Sequence, residues 1–396
     1  MKRKRIIVIS VLACAAAITT AGIFYNSRTT DINILATTDI HGSTSRSMVS
    51  YVKNYKKEGK ADLVVDSGDF WGSGTNEMLE WISGKKPLFD ESGRVEFYGE
   101  DTDGDGFPDK NGDIDGDGVG PDMKYEKVRE PWSGEAPILR DMKKMEVDSV
   151  TLGNHEFVES DINNLNNIIS MFDKAGISVL SANIYNSSDD KNFVKPYIIK
   201  EIEKENSSIK VAVLGLTLPE IAEPYELNKS TGEYEYSGNY NISSLEQYEN
   251  KLYLNDLVEE ATKWSKYIEK HEKPDIVVLT VHSGEEPKKP KHPGNRVKEI
   301  AHKVPGIDII VAGHTHATIQ EHNYKNNVTG DNVLVTQPSS NGRGISNINI
   351  KLKKENNNWK IIDISSKVDK LNIVDMSKFD YSKYTAEEAY NIGYRL

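Results

Sequence analysis

Five short blocks of the sequence combine carboxylate, imidazole and amide side chains, which are the groups that divalent cations take as ligands in proteins. In chain order they are Asp39-Ile40-His41, Gly68-Asp69, Gly153-Asn154-His155-Glu156, His282-Ser283-Gly284 and Gly313-His314-Thr315-His316. Such a set can hold two adjacent cations that share a water molecule and direct it at a phosphoester. The blocks therefore predict a dimetal hydrolytic site.

The blocks differ in how specific they are. An Asp-x-His block or a Gly-Asp pair occurs by chance in many loops, whereas two imidazoles two residues apart after Ile309-Ile310-Val311 can reach neighbouring cations from one turn. For any single block histidine, a structural role is an equally good explanation. The ordered set favours a site, because each block follows an apolar run. The remaining histidines are expected to be solvated or capping, namely His271, His292, His302 and His322.

The elements that must position these blocks alternate between β-type and helical patterns. Apolar runs at residues 32–37, 62–65, 148–152, 275–280 and 308–311 each precede a block. The carboxyl ends of strands are where open α/β sheets build their sites, so convergence of the blocks is expected. A long helix is predicted over residues 245–269. Three later segments alternate like antiparallel strands and predict a mixed sheet: residues 332–336, 345–352 and 359–364.

Composition bounds the class of protein. The 396 residues carry a formal net charge of −12, and 37% are hydrophobic, which is enough for a sizeable core. An acidic surface argues against a nucleic acid as a standing partner, because such proteins neutralise phosphates with clustered Lys and Arg.

The N-terminus predicts export. Lys2-Arg3-Lys4-Arg5 precede an uncharged run over residues 6–25, so residues 1–27 are either a cleaved signal peptide or a retained membrane anchor. In both cases the rest of the chain is expected outside the cytoplasm, secreted or attached to the outer face of the membrane. The only cysteine, Cys14, lies within this run and is interpreted as apolar filler rather than a lipid attachment site, because the run continues well past it.

With these blocks in this order, the chain resembles the calcineurin-like metallophosphoesterase superfamily, and within it the catalytic domain of the 5′-nucleotidase and 2′,3′-cyclic-nucleotide phosphodiesterase family. The resemblance covers residues 33–364 and includes Ser181-Ala182-Asn183, Lys195-Pro196-Tyr197 and Val213-Leu214-Gly215-Leu216-Thr217. It implies an α/β fold of four layers, αββα, in which two mixed β-sheets face each other between helices.

The resemblance also implies roles for the block residues. The first metal would be held by Asp39, His41 and His316, and the second by Asn154, His282 and His314. Asp69 would bridge both metals. His155 would be the catalytic residue that stabilises the transition state or protonates the leaving alkoxide. The metals themselves stay open between Mn, Zn and Fe, which all suit this mixture of ligands.

The chain departs from the family pattern in three places. The third block usually continues to an Asp that orients the catalytic histidine, but Val158 stands there, with Glu159 and Asp161 as possible substitutes. The glycines after Asp69 lie one residue off the usual spacing. The catalytic domain is expected over residues 32–366, and residues 367–396 match the start of a linker to a C-terminal substrate domain that is expected to be absent.

An acidic insertion over residues 85–130 predicts calcium binding. Carboxylates on alternate residues followed by glycine bend the backbone around a cation, and oxygen ligands suit Ca²⁺. The twelfth position of each loop is not Glu, so the pattern is similar to thrombospondin type 3 or dockerin-like loops rather than to an EF-hand. The alternative is an unstructured acidic loop. The expected calcium ligands are Asp101, Asp103, Asp105, Asp109, Asp113, Asp115, Asp117 and Asp122.

These features together predict an exported dimetal phosphoesterase that hydrolyses nucleotides or similar small phosphoesters by attack of a metal-bridging hydroxide. Close alternatives are a 2′,3′-cyclic-nucleotide or other phosphodiesterase, or a phosphatase of sugar or lipid phosphates, using the same site. A rival from another class is a calcium-dependent surface binding module with a decayed site, which Val158 and the expected absence of a C-terminal domain motivate. The membrane is a partner only if the N-terminal segment is uncleaved.

Overall fold

The computed structural model describes residues 29–103, 108–115, 119–204, 207–221, 225–236, 242, 245–285, 294–371 and 383–391. The predicted export segment, Asp105 and Asp117 lie outside the described residues. Within the described part of the chain, no helix is both long and apolar enough to traverse a bilayer.

The first half of the chain builds one six-stranded sheet, with two late strands added to it. Its strands are β1 (Thr29–Thr37), β2 (Leu63–Asp66), β5 (Ser149–Thr151), β6 (Ser178–Leu180), β17 (Gly344–Glu355) and β18 (Asn358–Lys370). The spatial order is β18-β17-β1-β2-β5-β6. Strands β1, β2, β5 and β6 run parallel, whereas β17 and β18 are antiparallel additions.

The second half builds a facing sheet of the same size. Its strands are β8 (Tyr197–Lys204), β9 (Ser207–Thr217), β13 (Ile276–His282), β14 (Ile309–Ala312), β15 (Thr318–Lys325) and β16 (Asn332–Pro338). They lie in the order β15-β16-β14-β13-β9-β8, and the four central strands are parallel. The other described strands form two-stranded antiparallel sheets: β3 (Lys85–Pro87) with β4 (Tyr125–Lys127), β7 (Ile184–Asn186) with β12 (Leu252–Leu254), and β10 (Tyr225–Asn228) with β11 (Glu233–Tyr236).

Helices cover the outer face of each sheet. The described helices are α1 (Arg46–Lys57), α2 (Asn76–Ser83), α3 (Pro137–Lys144), α4 (His155–Val158), α5 (Ile162–Lys174), α6 (Leu257–His271), α7 (Val297–Lys303) and α8 (Ala386–Asn391). Of these, α1, α2, α3 and α5 pack with the first sheet, and α6 and α7 pack with the second. Strand β1 explains the layering, because Ile34 and Ala36 point into a core between the sheets while Leu35 packs with the helix-covered core. The predicted four-layer αββα fold with two mixed sheets is confirmed.

One local prediction was wrong, and a second was only half right. The helix expected from residue 245 begins at Leu257, because the Asp256 side chain accepts hydrogen bonds from Val258 N at 2.8 Å and Glu259 N at 3.0 Å and so fixes the first turn there. The strand expected to be antiparallel over residues 332–336 pairs in parallel with β14, and only its other edge is antiparallel. The alternation of residue types did not indicate the parallel pairing of this strand, because nearly the whole strand is buried.

An aspartate immediately precedes each of four parallel strands and ties it to its neighbour. Each of these side chains accepts a hydrogen bond from a backbone N–H of the adjacent strand, and each backbone N–H donates to a carbonyl of the same neighbouring residue. The pairs, with the N–H to carboxylate distance, are Asp62 with Asn33 (2.9 Å), Asp148 with Val64 (2.9 Å), Asp275 with Lys210 (2.8 Å) and Asp308 with Val277 (2.8 Å). The motif fixes the strand register at the amino ends of the strands, opposite to the end where the blocks lie.

Burial gives one of these aspartates a measurable pH dependence. Burial raises the pKa of Asp308 to about 6 from the ordinary 3.8, although the hydrogen bond from Val277 opposes the rise. The folded state therefore holds this proton more tightly than the unfolded chain does, and the protein loses stability as pH rises from about 4 to about 6.

In Asp308→Asn, the side-chain oxygen still accepts from Val277 and no charge is buried. We expect urea unfolding at pH 4.5 and pH 7.5 to show the variant gaining about 1–2 kcal/mol relative to wild type at the higher pH. A difference that does not change with pH would contradict this.

Candidate metal centre

The five blocks lie at the carboxyl ends of strands from both sheets. Asp39 follows β1, Asp69 follows β2 and Asn154 follows β5 in the first sheet, while His282 ends β13 and His314 follows β14 in the second. The two sheets are fastened together at this end by polar contacts. Ser67 Oγ donates to the carbonyl of Ala312 at 3.1 Å, Thr217 Oγ1 donates to the carbonyl of Leu152 at 2.6 Å, and the hydroxyls of Thr151 and Thr280 are 2.7 Å apart. The predicted convergence of the blocks is therefore observed in space.

The first group of side chains contains Asp39, His41 and His316, whose ligand atoms lie within 4.8 Å of one another. The Nε2 atoms of the two histidines are 3.1 Å apart, and His316 Nε2 is 3.5 Å from Asp39 Oδ1. Burial lowers the pKa of His41 to about 4 and lowers the pKa of His316 as well. Both imidazoles are therefore neutral at pH 7 and have a nitrogen lone pair free to bind a cation.

A second group forms around His282, which is fully buried. Its Nε2 lies 3.0 Å from Asp69 Oδ2 and 3.1 Å from Asn154 Oδ1, and the ligand atoms of Asp39, Asp69 and His282 lie within 4.8 Å of one another. Its Nδ1 is 3.0 Å from the carbonyl of Ser67. A carbonyl only accepts, so Nδ1 carries a hydrogen and Nε2 is directed at the carboxylate and amide oxygens.

His314 is placed differently from the other predicted ligands. Its backbone N–H donates to both carboxylate oxygens of Asp39, at 3.0 and 3.1 Å, and its ring centroid is 5.5 Å from that of His282. Among the described residues, its side chain does not belong to any of the tight groups of three ligand atoms. The imidazole thus lies beside the second group rather than within it.

Asp69 connects the two groups. Its carboxylate forms one tight group with His41 and His155 and another with Asp39 and His282. Burial alone raises the pKa of Asp69, but the charge and hydrogen bond of His282 outweigh burial and hold it below its ordinary value. Burial raises the pKa of Asp39 to about 7, and the charge of Asp69 adds to the rise. Two buried carboxylates beside the neutral imidazoles of His41 and His316 suit a pair of divalent cations, whose charge would compensate them.

Five block residues adopt left-handed backbone conformations, which the sequence did not indicate. Positive φ angles occur at Asp39 (50°), His41 (50°), Asp69 (54°), His314 (70°) and His316 (54°). Each such non-glycine residue costs roughly 1–3 kcal/mol and persists only where surrounding contacts hold it. This clustering of strained residues is typical of functional sites.

His155 begins helix α4 and lies over the first group, with its ring centroid 4.4 Å from that of His41. Its Nδ1 is 2.8 Å from Glu159 Oε1, and the other oxygen of Glu159 accepts from Ser73 N at 3.2 Å. Burial alone lowers the pKa of His155, but Glu159 and Asp69 outweigh burial and raise it to about 9.

Glu159 thus occupies the place that Val158 leaves vacant. Residues four apart on a helix share a face, so Glu159 reaches His155 while Val158 points to solvent. The other candidate, Asp161, caps helix α5 by accepting from Asn164 N at 2.8 Å. Val158 is therefore no longer a reason to regard the site as decayed.

The acidic insertion forms two clusters of similar construction. The carboxylate oxygens of each cluster lie within 4.8 Å of one another, and the clusters are Asp101, Asp103 and Asp109, and Asp113, Asp115 and Asp122. The last Asp of each closes its loop by accepting from a backbone N–H near the loop start: Thr102 N donates to Asp109 at 2.8 Å, and Ile114 N donates to Asp122 at 2.7 Å.

Comparison with known proteins gives the family. A family model described as bacterial capsule synthesis protein PGA_cap matches residues 124–329, which is more than half of the chain. The chain belongs to this family. Its domain fits the metallophosphoesterase fold, and the resemblance to the calcineurin-like metallophosphoesterases is confirmed.

The chain is also similar to individual proteins whose names describe phosphoesterases. The chain is 27% identical over 251 residues to the trifunctional nucleotide phosphoesterase protein YfkN of Bacillus subtilis (strain 168), a match that covers 59% of the chain and 15% of YfkN. It is 30% identical over 187 residues to a 5′-nucleotidase of Vibrio cholerae, covering 46% of the chain and 29% of that protein. The chain thus matches less than a third of the length of either relative.

A solved structure supports the fold. The crystal structure of the calcineurin-like phosphoesterase YfkN from Bacillus subtilis superposes with a TM-score of 0.57 and 21% identity, covering 87% of this chain and 91% of that one. At this level of identity the likeness shows the fold.

The contact between Glu159 and His155 leads to a test. In Glu159→Gln, the charge that raises the pKa of His155 is lost, so the pKa falls and activity that needs the protonated imidazole is lost at lower pH than in wild type. We expect kcat to fall about 10- to 100-fold at neutral pH, with KM and bound metal little changed.

The matched control for this test is Asp161→Asn, which keeps a capping side chain and does not contact His155. Its kcat and pH profile should follow wild type. Equal pH profiles for Glu159→Gln and Asp161→Asn would show that Glu159 does not act on the histidine.

Proposed function

We propose that this chain hydrolyses small phosphoesters, with nucleotides as the substrate class, using two divalent transition cations (Mn, Zn or Fe). One observation carries the proposal: two groups of ligand side chains meet at the buried carboxylate of Asp69. In the proposed assignment Asp69 is shared by both cations. The remaining ligands are Asp39, His41 and His316 for the first cation, and Asn154, His282 and His314 for the second.

When bound, two cations would acidify a shared water and neutralise the phosphoryl oxygens. The chain's own residues supply the rest. His282 is fixed by its Nδ1 hydrogen bond to Ser67, so its Nε2 faces the ligand oxygens. His155 is held by Glu159 on the open side of the site, where His316 is also exposed. With a raised pKa, His155 carries a proton at neutral pH and is placed to give it to the departing alkoxide.

The substrate class is supported by the relatives, which are a trifunctional nucleotide phosphoesterase and a 5′-nucleotidase. Cyclic nucleotides and other diesters stay within the proposal, because the same ligand groups serve monoesters and diesters. An extracytoplasmic location, secreted or anchored through residues 1–27, also belongs to the proposal and is supported by the basic N-terminus and the apolar run after it.

The activity is tested by phosphate release from AMP and nitrophenol release from bis-p-nitrophenyl phosphate, both with added Mn²⁺. We expect His155→Ala to lower kcat by about 10²–10⁴-fold because the proton donor is lost. Asp69→Asn should abolish turnover and lower the amount of bound metal, because the amide offers one oxygen where a carboxylate offers two.

His271→Ala is the control, since this exposed histidine stacks on Tyr267 of helix α6, outside the site. Its rates should match those of wild type. A wild-type protein that holds two metal ions and releases no product from either substrate would refute the proposed activity.

We propose in addition that the two acidic clusters bind calcium. The repeated closure of each loop by its last Asp supports this, because it turns three carboxylates toward one point. Without cations, these like charges repel one another. Oxygen-only ligands suit Ca²⁺ better than transition metals.

Calcium binding is measured by isothermal titration of the metal-loaded protein. We expect two sites with Kd of about 10⁻⁴–10⁻³ M, as in other extracellular modules. Asp109→Asn should remove one site and Asp122→Asn the other, whereas Asp189→Asn, which makes the same charge change outside the insertion, should keep both. The absence of any calcium heat in wild type at millimolar concentration would refute the proposal.

A further inference from the structure

Glu156 is a buried carboxylate that the proposed mechanism does not use. It follows His155 on helix α4, and its side chain is completely inaccessible to solvent. Burial and the charge of Asp69 raise its pKa, while hydrogen bonds from the backbone N–H groups of Trp71 and Gly153 stabilise its carboxylate form and oppose the rise. A buried acid beside another acid is unfavourable unless its hydrogen bonds compensate for lost hydration. Its retention therefore calls for a geometric explanation.

The contacts of Glu156 join two of the site loops. Oε2 accepts from Gly153 N at 2.6 Å and from Asp69 N at 3.2 Å, and Oε1 accepts from Trp71 N at 2.8 Å. The Asp69 carboxylate makes the reverse connection by accepting from His155 N at 2.9 Å. Each loop thus supplies a carboxylate that accepts hydrogen bonds from the backbone of the other loop, as the two side chains do reciprocally in a capping box.

This connection acts on the most constrained ligand of the site. Asp69 has a φ of 54°, so its backbone conformation must be held by its neighbours. Glu156 holds the N–H of Asp69 itself and that of Trp71, two residues further on. On the other loop it holds the N–H of Gly153, which precedes Asn154. The side-chain oxygens of these two residues both lie close to His282 Nε2, at 3.0 Å for Asp69 and 3.1 Å for Asn154.

We propose that Glu156 is a positioning residue, whose carboxylate fixes the loop of Asp69 against the loop of Asn154 and so sets the spacing of the two cations. This inference rests on the proposed dimetal function. All three partners of Glu156 are N–H donors, which only an acceptor can satisfy. Glutamine has nearly the same shape but one oxygen and one NH₂ group, so at least one backbone N–H would face another donor.

The test uses Mn²⁺, whose paired ions give an exchange-coupled electron paramagnetic resonance signal that isolated ions lack. The full chain is loaded with two equivalents of Mn²⁺ as wild type, Glu156→Gln and Glu159→Gln. We expect the coupled signal in wild type, and its loss in Glu156→Gln with affinity for the second ion reduced about 10- to 100-fold. Glu159→Gln is the matched comparison on the same helix, and it should keep the coupled signal while kcat falls.

The outcomes separate this inference from the proposed function. Wild type without a manganese pair overturns both. Wild type with the pair, together with a Glu156→Gln variant whose coupled signal, metal affinity and kcat equal those of wild type, overturns the positioning role alone.

Hydrogen exchange gives a second measurement that does not depend on the variant folding. In the wild-type protein, the amide protons of Asp69, Trp71 and Gly153 should exchange far more slowly than that of Ser73, whose partner Glu159 is only partly covered. If the three amide protons exchange as fast as that of Ser73, the Glu156 hydrogen bonds do not hold the loops and the proposal is overturned. Where Glu156→Gln folds, these three amides should be the ones whose exchange accelerates.

Discussion

Two buried carboxylates, Asp39 and Asp69, lie beside each other where the two sheets meet, and the surrounding residues are arranged to make this possible. Charges taken out of water are stable only when they are paired and hydrogen-bonded. The chain supplies His282 and a set of backbone N–H donors, yet the pKa of Asp39 is still raised by burial. Cations bound here would supply the missing positive charge, so metal binding and the stability of this end of the fold are expected to be coupled.

The four-layer fold serves the same need to surround two buried carboxylates with compensating groups. One sheet supplies Asp39, Asp69 and Asn154, and the other supplies His282 and His314, so neither sheet builds the site alone. Because both sheets have parallel central strands, all of these residues are delivered at one edge. The aspartates that precede four parallel strands fix the strand register at the amino ends of the strands, opposite to the site. A register slip of one residue would turn the ligands away from their partners.

The strands and the blocks were predictable from sequence because both depend on local pattern. Apolar runs buried on two faces, followed by polar residues, identify strand ends in this class of fold. The left-handed conformations of Asp39 and Asp69 were not predictable, because non-glycine residues adopt them only under tertiary constraint. The carboxylate that contacts His155 was likewise not predictable, because it too depends on the folded structure. Sequence alone left Glu159 and Asp161 open, and the choice depended on the short helix α4, which brings position 159 onto the face of His155.

The glycines within the blocks have a reason that only the packed structure reveals. A methyl group on Gly68 would lie 2.5 Å from Nδ1 of His282, and one on Gly313 would lie 3.1 Å from the same atom while colliding with Thr38. Gly68 belongs to the loop of Asp69, and Gly313 immediately precedes His314. Loops from both sheets therefore approach the His282 ring so closely that neither position has room for a side chain. The close approach that places the ligands within reach of common cations therefore requires the glycines beside Asp69 and His314, and these glycines are constrained by the site as directly as the ligands are.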